Sequence, residues 1–120
     1  MSAVLVLTTI GADGDARALA HALVEARVAA CVNIVDRVRS VYRWEGRIED
    51  DAEQLLIIKT SEERVAALRE ELFARHPYAV PEFVVMPVEV SEAYGEWLLG
   101  AVDGTSGTSG TNGTNGTNGS

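Results

Sequence analysis

The sequence is poor in several things at once. Its 120 residues include one cysteine, two histidines and three prolines, and only ten Lys and Arg stand against eighteen Asp and Glu. The single cysteine, Cys31, excludes an intramolecular disulfide framework and suits a reducing compartment; only pairing between chains after oxidation is left open. The basic deficit, a formal net charge of −8, argues against electrostatic binding of nucleic-acid phosphates, and an acidic surface attracts cations instead. The opening Met1-Ser2-Ala3-Val4-Leu5-Val6-Leu7 has no basic leading region, and its apolar run is too short to span a bilayer or to form a signal core. A cytoplasmic protein with no membrane partner is therefore expected. Local catalytic signatures are also missing: there is no Gly-rich phosphate loop, no His-Glu-x-x-His, no Cys-x-x-Cys and no nucleophile elbow. The chain does not read as an ordinary enzyme, although a site assembled between subunits would leave no local signature.

What is present is one domain and a tail. A content of 47% hydrophobic and 23% charged residues is ordinary for a globular protein, and the length suits one core. After Val102 the composition changes abruptly, giving a domain over 1–102 and a Gly/Thr/Ser/Asn repeat over 103–120. That repeat has nothing apolar to bury and is expected to be disordered. Its Asn112, Asn115 and Asn118 glycosylation patterns are explained by the repeat itself.

Within the domain the hydrophobic period alternates. Ala3 to Ile10, ended by Gly11, reads as a buried central strand. Asp13 is placed as the cap of a first helix whose apolar face is Ala16, Leu19, Ala20, Leu23 and Val24, with Asp15 in its first turn. From Ala30 the period drops to two, with Val38, Ser40, Tyr42 and Trp44 on one face and Arg39, Val41 and Arg43 on the other. Glu45-Gly46 turns the chain, and Leu55 to Ile58 form a strand buried on both faces. Ser61 starts a second helix with Val65, Leu68 and Leu72 inward, and Pro77 ends it by forcing His76 out of the helical region. Phe83 to Val90 is the last strand, placed at a sheet edge by Pro87. Ser91 caps a short closing helix that carries Tyr94, Trp97 and Leu98.

The order β-α-β-β-α-β with a short C-terminal helix defines an α+β fold, the split βαβ, ferredoxin-like arrangement. Its hairpin arms, Ala30–Glu45 and Arg47–Thr60, would extend roughly 45–50 Å at about 3.3 Å per residue. A core of this size has a radius of gyration of only about 13 Å, so a long hairpin projects from it with Tyr42 and Trp44 near the tip. Exposed aromatics and a long unpaired edge call for a partner chain, so oligomerisation is expected.

Several segments together resemble the divalent-cation tolerance family, CutA: Ala29-Ala30-Cys31-Val32-Asn33-Ile34, Ser40-Val41-Tyr42-Arg43-Trp44-Glu45-Gly46, Ile58-Lys59-Thr60, His76-Pro77-Tyr78-Ala79-Val80-Pro81-Glu82, and the Tyr94/Trp97-Leu98 ending. The resemblance implies a ferredoxin-like subunit, a homotrimer built by inter-subunit strand pairing, and a role in tolerance to copper and other divalent metals. It implies no established reaction. Where the family often has a Pro-Gly bulge this chain reads Val35-Asp36-Arg37. Where some members carry a cysteine and a second histidine, this chain has Thr8 and Arg75.

His76 is the one candidate metal ligand, for copper(II) or another divalent cation, and no cofactor is required. The competing reading is a helix-terminal histidine satisfying the last carbonyls. Cys31 reads as a small buried hydrophobe and His21 as a packed or exposed helix residue. Glu49, Asp50, Asp51 and Glu53 read as a solvated acidic stretch, lacking the loop of a calcium site. Tyr42, Trp44, Lys59, Tyr78 and Glu82 either anchor an interface or line a cleft between subunits. Three functions follow as expectations: a trimer that binds and responds to metal ions, a trimeric signalling protein that binds a metabolite in that cleft, or a structural adaptor.

Overall fold

The chain alternates elements because its hydrophobic period alternates, and the computed structural model, which describes residues 2–103, shows where each one ends. In order they are β1 (Ala3–Gly11), α1 (Ala16–Glu25), β2 (Cys31–Trp44), β3 (Arg47–Ser61), a 3-10 turn over Glu62–Arg64, α2 (Val65–Arg75), β4 (Val84–Val88) and α3 (Glu92–Ala101). The four strands form one antiparallel sheet in the order β2-β3-β1-β4. This is the expected split βαβ arrangement, with β1 central and the Pro87 strand at an edge. The repeat tail expected from Asp103 onward lies, Asp103 apart, outside the described residues.

Strand alternation divides the sheet into two faces. Val4, Val6 and Ile10 of β1 and Leu56 and Ile58 of β3 meet Leu19 and Leu23 of α1 and Leu68 and Leu72 of α2 in the main core. Each such side chain contributes about 1.5–3 kcal/mol by leaving water, so this layer dominates the domain's stability. On the opposite face α3 packs Leu98 and Val102 against Ala3 and Ala30. The rest of that face is thinly covered. Leu55 and Ile57 are only half-buried, which corrects the expectation that Leu55 to Ile58 are buried on both sides.

Local ends also differ from the sequence reading. Asp15, not Asp13, caps α1, its carboxylate accepting the Ala18 N–H at 3.0 Å. Gly14 N–H is already turned back to the Gly11 carbonyl, so the helix begins after that turn. Val24 is 42% exposed; it lies at the margin of the apolar stripe, over a shallow groove beside Val32 and Ile34 of the edge strand. The Ser61 side chain makes no cap bond, and a 3-10 turn precedes α2. α2 ends at Arg75, and His76 takes an extended conformation (φ −80°, ψ 136°), as a following proline demands. β4 pairs only over Val84–Val88, shorter than the expected Phe83 to Val90.

The β2–β3 hairpin closes through Glu45 (φ 52°) and Gly46 (φ 81°), two consecutive left-handed residues as a type I′ turn requires. The described residues extend 49 × 25 × 24 Å. The 14- and 15-residue strands β2 and β3, at about 3.3 Å per residue, match that long axis.

Candidate functional site

The site begins with a slip in register. Val35 faces Leu55 while Val38 faces Glu53, so Asp36 and Arg37 together oppose the single residue between them on β3. This is a β-bulge, and it reverses the parity of the strand. Before it, Val32 and Ile34 pack toward the helices. After it, Val38, Ser40, Tyr42 and Trp44 share the other face with Glu53, Asp51 and Glu49.

A second wall comes from the segment after α2. The His76 ring is buried at 8% exposure. Its Nδ1 accepts the Tyr78 N–H at 3.1 Å, so the proton sits on Nε2, which donates to the Thr9 carbonyl at 2.7 Å. Those two bonds fasten the His-Pro-Tyr turn to β1 and aim Tyr78 back over the sheet. The Tyr78 hydroxyl donates to Glu53 Oε2 at 2.6 Å. Glu53 stands opposite Gly11 in the ladder. A Cβ at Gly11 would lie 3.6 Å from the Tyr78 oxygen, so the phenol rests directly over a strand position that carries no side chain.

Burial first, and the bond to Glu53 second, push the Tyr78 hydroxyl well above the usual tyrosine range. Tyr42 is pushed up to about 12, chiefly by donating to Asp51 Oδ2 at 2.6 Å. Both phenols therefore stay protonated donors at neutral pH, locked to carboxylates.

Between these walls lies a cleft of about 710 Å³, with Thr9 and Glu53 beside Ser40, Tyr42 and Trp44 of the hairpin and the 78–82 segment. Four of the five residues expected to group together do so: Tyr42, Trp44, Tyr78 and Glu82. Lys59 does not. It lies six residues beyond Glu53 on β3, roughly 20 Å away at strand spacing, and its Nζ stands over the Tyr94 ring at 5.9 Å.

Glu53 was missed as a site residue. Expected to be solvated with its acidic neighbours, it is 4% exposed, because Tyr78 lies over it with its hydroxyl bonded to Glu53 Oε2. The strand period gave no signal of this, since Asp51 shares that face and is exposed. Thr9 and Ser40 carried none. Asp50 behaves as an ordinary surface acid, paired with Arg39 at 2.8 Å.

His76, the candidate metal ligand, is buried; its backbone N–H donates to the Leu72 carbonyl of its own helix, whereas its imidazole bonds the Thr9 carbonyl of a neighbouring strand. A metal at either nitrogen would have to displace a hydrogen bond. Among the described residues no three His, Cys, Asp or Glu side chains are grouped to hold an ion. Cys31 is half-buried, and His21 is exposed beside the groove under Val24.

These features define a class: a small ferredoxin-like α+β domain with a long bulged hairpin and an acidic, aromatic cleft at the hairpin's side. A family model described as CutA1 divalent ion tolerance protein matches residues 4–101, and the chain belongs to that family. It is similar to the divalent-cation tolerance protein CutA of Thermus thermophilus, 46% identical over 95 residues covering 78% of this chain and 92% of that one. It is also similar to the protein CutA, chloroplastic, of Arabidopsis thaliana, 42% identical over 79% of this chain but only 53% of the relative. The chain thus spans about half the length of this plant relative.

Among solved structures, divalent cation tolerance protein CutA1 of Thermus thermophilus superposes with a TM-score of 0.77 at 45% identity, covering 81% of this chain and 95% of the other. The PII-like protein CutA of Nostoc does so with a TM-score of 0.77 at 32% identity, covering 82% and 96%. No helix among the described residues is long and apolar enough to cross a membrane.

Proposed function

We propose that this chain works as a cytoplasmic homotrimer in the response to divalent cations, copper(II) among them, without catalysing a reaction. Cations act on it at the acidic mouth of the cleft rather than at His76. The observation that carries this reading is the cleft itself: Glu53 and Glu82 line it and no basic side chain does. Family membership supports the divalent-cation role. The exposed tip aromatics Tyr42 and Trp44, at 40% and 44%, and the unpaired outer edge of β2 support association between copies. Nothing in this role calls for nucleic acid or membrane.

The test is a copper(II) titration followed by calorimetry and light scattering. His76→Ala is expected to leave copper affinity within about twofold while lowering the melting temperature, since it frees two bonds that fasten the 76–78 turn. Glu82→Gln is expected to weaken binding severalfold. Loss of copper binding in His76→Ala with the oligomer intact would move the site to the imidazole and end the cleft assignment.

A second reading is favoured by size. A single ion needs one coordination shell, whereas about 710 Å³ falls in the usual range of roughly 300–1,000 Å³ for small-molecule sites. On this reading the trimer is a sensor whose cleft takes a small metabolite, in keeping with the PII-like name of the Nostoc relative.

A further inference from the structure

We infer that the cleft selects an organic cation, an ammonium or similar group carried on an apolar body, over neutral and anionic molecules. The inference rests on the metabolite reading just given and assigns the chemical class of that ligand.

Glu53 provides the first reason. The residue is 4% exposed and lines the cleft. Among the described residues it forms no ion pair, and its one hydrogen bond with another side chain is from the neutral Tyr78 hydroxyl. A carboxylate so buried loses much of its hydration without gaining a counter-charge, a cost that a cation entering the cleft would offset.

The walls provide the second reason. Tyr42, Trp44 and Tyr78 bring three rings to one cavity, each 38–44% exposed in the single chain. Aromatic faces attract cations by their quadrupole, most strongly for indole, and they tolerate the apolar carbon around an alkylated ammonium. With Tyr78 tied to Glu53 and Tyr42 tied to Asp51, two of these rings are already held in place, so binding costs little ordering.

The third reason is what the lining leaves out. It contains no Lys, Arg or His, and Lys59 is committed to Tyr94. An anion would meet Glu53 and Glu82 with nothing to neutralise it.

The experiment uses the full chain and three probes: choline chloride, its uncharged isostere 3,3-dimethylbutan-1-ol, and sodium succinate. Binding is followed by the NMR resonance of the Trp44 indole N–H and by calorimetry. Choline is expected to shift that resonance, the isostere to bind about tenfold or more weakly, and succinate not to bind. Glu82→Gln, at an exposed position, should weaken choline severalfold with the light-scattering mass unchanged. Glu53→Gln should do so more strongly, with thermal unfolding confirming that it folds.

If the isostere binds as tightly as choline, or succinate binds better, the charge assignment is overturned while the cleft survives as a metabolite site. If none of the three binds to an intact oligomer, the metabolite reading falls with it. A basic side chain of a neighbouring copy would then be the natural occupant, and Glu53→Gln would change the light-scattering mass.

Discussion

Tyr78 is held at both ends: its backbone N–H donates to the His76 ring and its hydroxyl donates to Glu53. Replacing it with Phe keeps the ring but leaves a buried carboxylate without its donor, which should cost about 1–3 kcal/mol in urea unfolding at neutral pH. A pH dependence follows with a definite sign. The folded state holds the Tyr78 proton more tightly than the unfolded chain, whose tyrosines ionise near the ordinary 10.0. Its contribution is therefore complete below about pH 10 and is lost as pH rises beyond that toward the higher folded value. Stability of the parent should fall more steeply than that of Tyr78→Phe between pH 9 and 11; parallel curves would show that the bond to Glu53 does not form. At this scale the sequence was legible in the aromatics and in Glu82, whose motif spacing marks them. It was misleading at Glu53, where a run of acids looked solvated, and at His76, whose partner Thr9 is 67 residues away. No local pattern announces a bond of that span.

Elements were easier to read than their ends. Strand period, Pro77 and Pro87 placed every strand and helix, since each depends on local chemistry. The missed details, the Asp15 cap and the 3-10 entry to α2, depend on how the preceding loop is tied. The hairpin turn offers a clean test. Glu45 sits at φ 52°, where its side chain gains nothing, whereas Asn tolerates the left-handed region and is preferred before Gly in a type I′ turn. Glu45→Asn should therefore stabilise the protein by about 0.5 kcal/mol, raising the urea midpoint without changing its slope. Gly46→Ala should do the opposite by about 1 kcal/mol, because at φ 81° the added Cβ is strained even though nothing lies within 4 Å of it.

At the scale of the whole molecule, one sheet face is roofed by α1 and α2, while the other carries α3 around Ala3 and Ala30 and leaves Leu5, Leu7, Leu55 and Ile57 half-buried. That uneven burial is what an associating subunit would show, and the proposed trimer would cover it. Trp44→Ala is expected to loosen the assembly, lowering both the light-scattering mass at low micromolar concentration and the melting temperature. An unchanged mass and melting temperature would remove Trp44 from the interface. The sequence makes association an expectation, through the length of the hairpin, its tip aromatics and exposed edge, and the family resemblance. The division of the open face between α3 and bare sheet depends on where α3 docks, which its own amphipathic pattern does not state.

The bulge at Asp36-Arg37 gives β2 one residue more than its ladder needs. Deleting either of the two would leave a single residue opposite Gln54, with Val35 still facing Leu55 and Val38 still facing Glu53. Tyr42 and Trp44 would keep to the cleft side, and the arm would lose only the local kink and added twist that the bulge imposes. A second deletion would find no such slack, and would carry one end of the arm, either Val32 and Ile34 or Tyr42 and Trp44, to the wrong face. The arm can therefore give up one codon at the bulge and keep its wall, and no more.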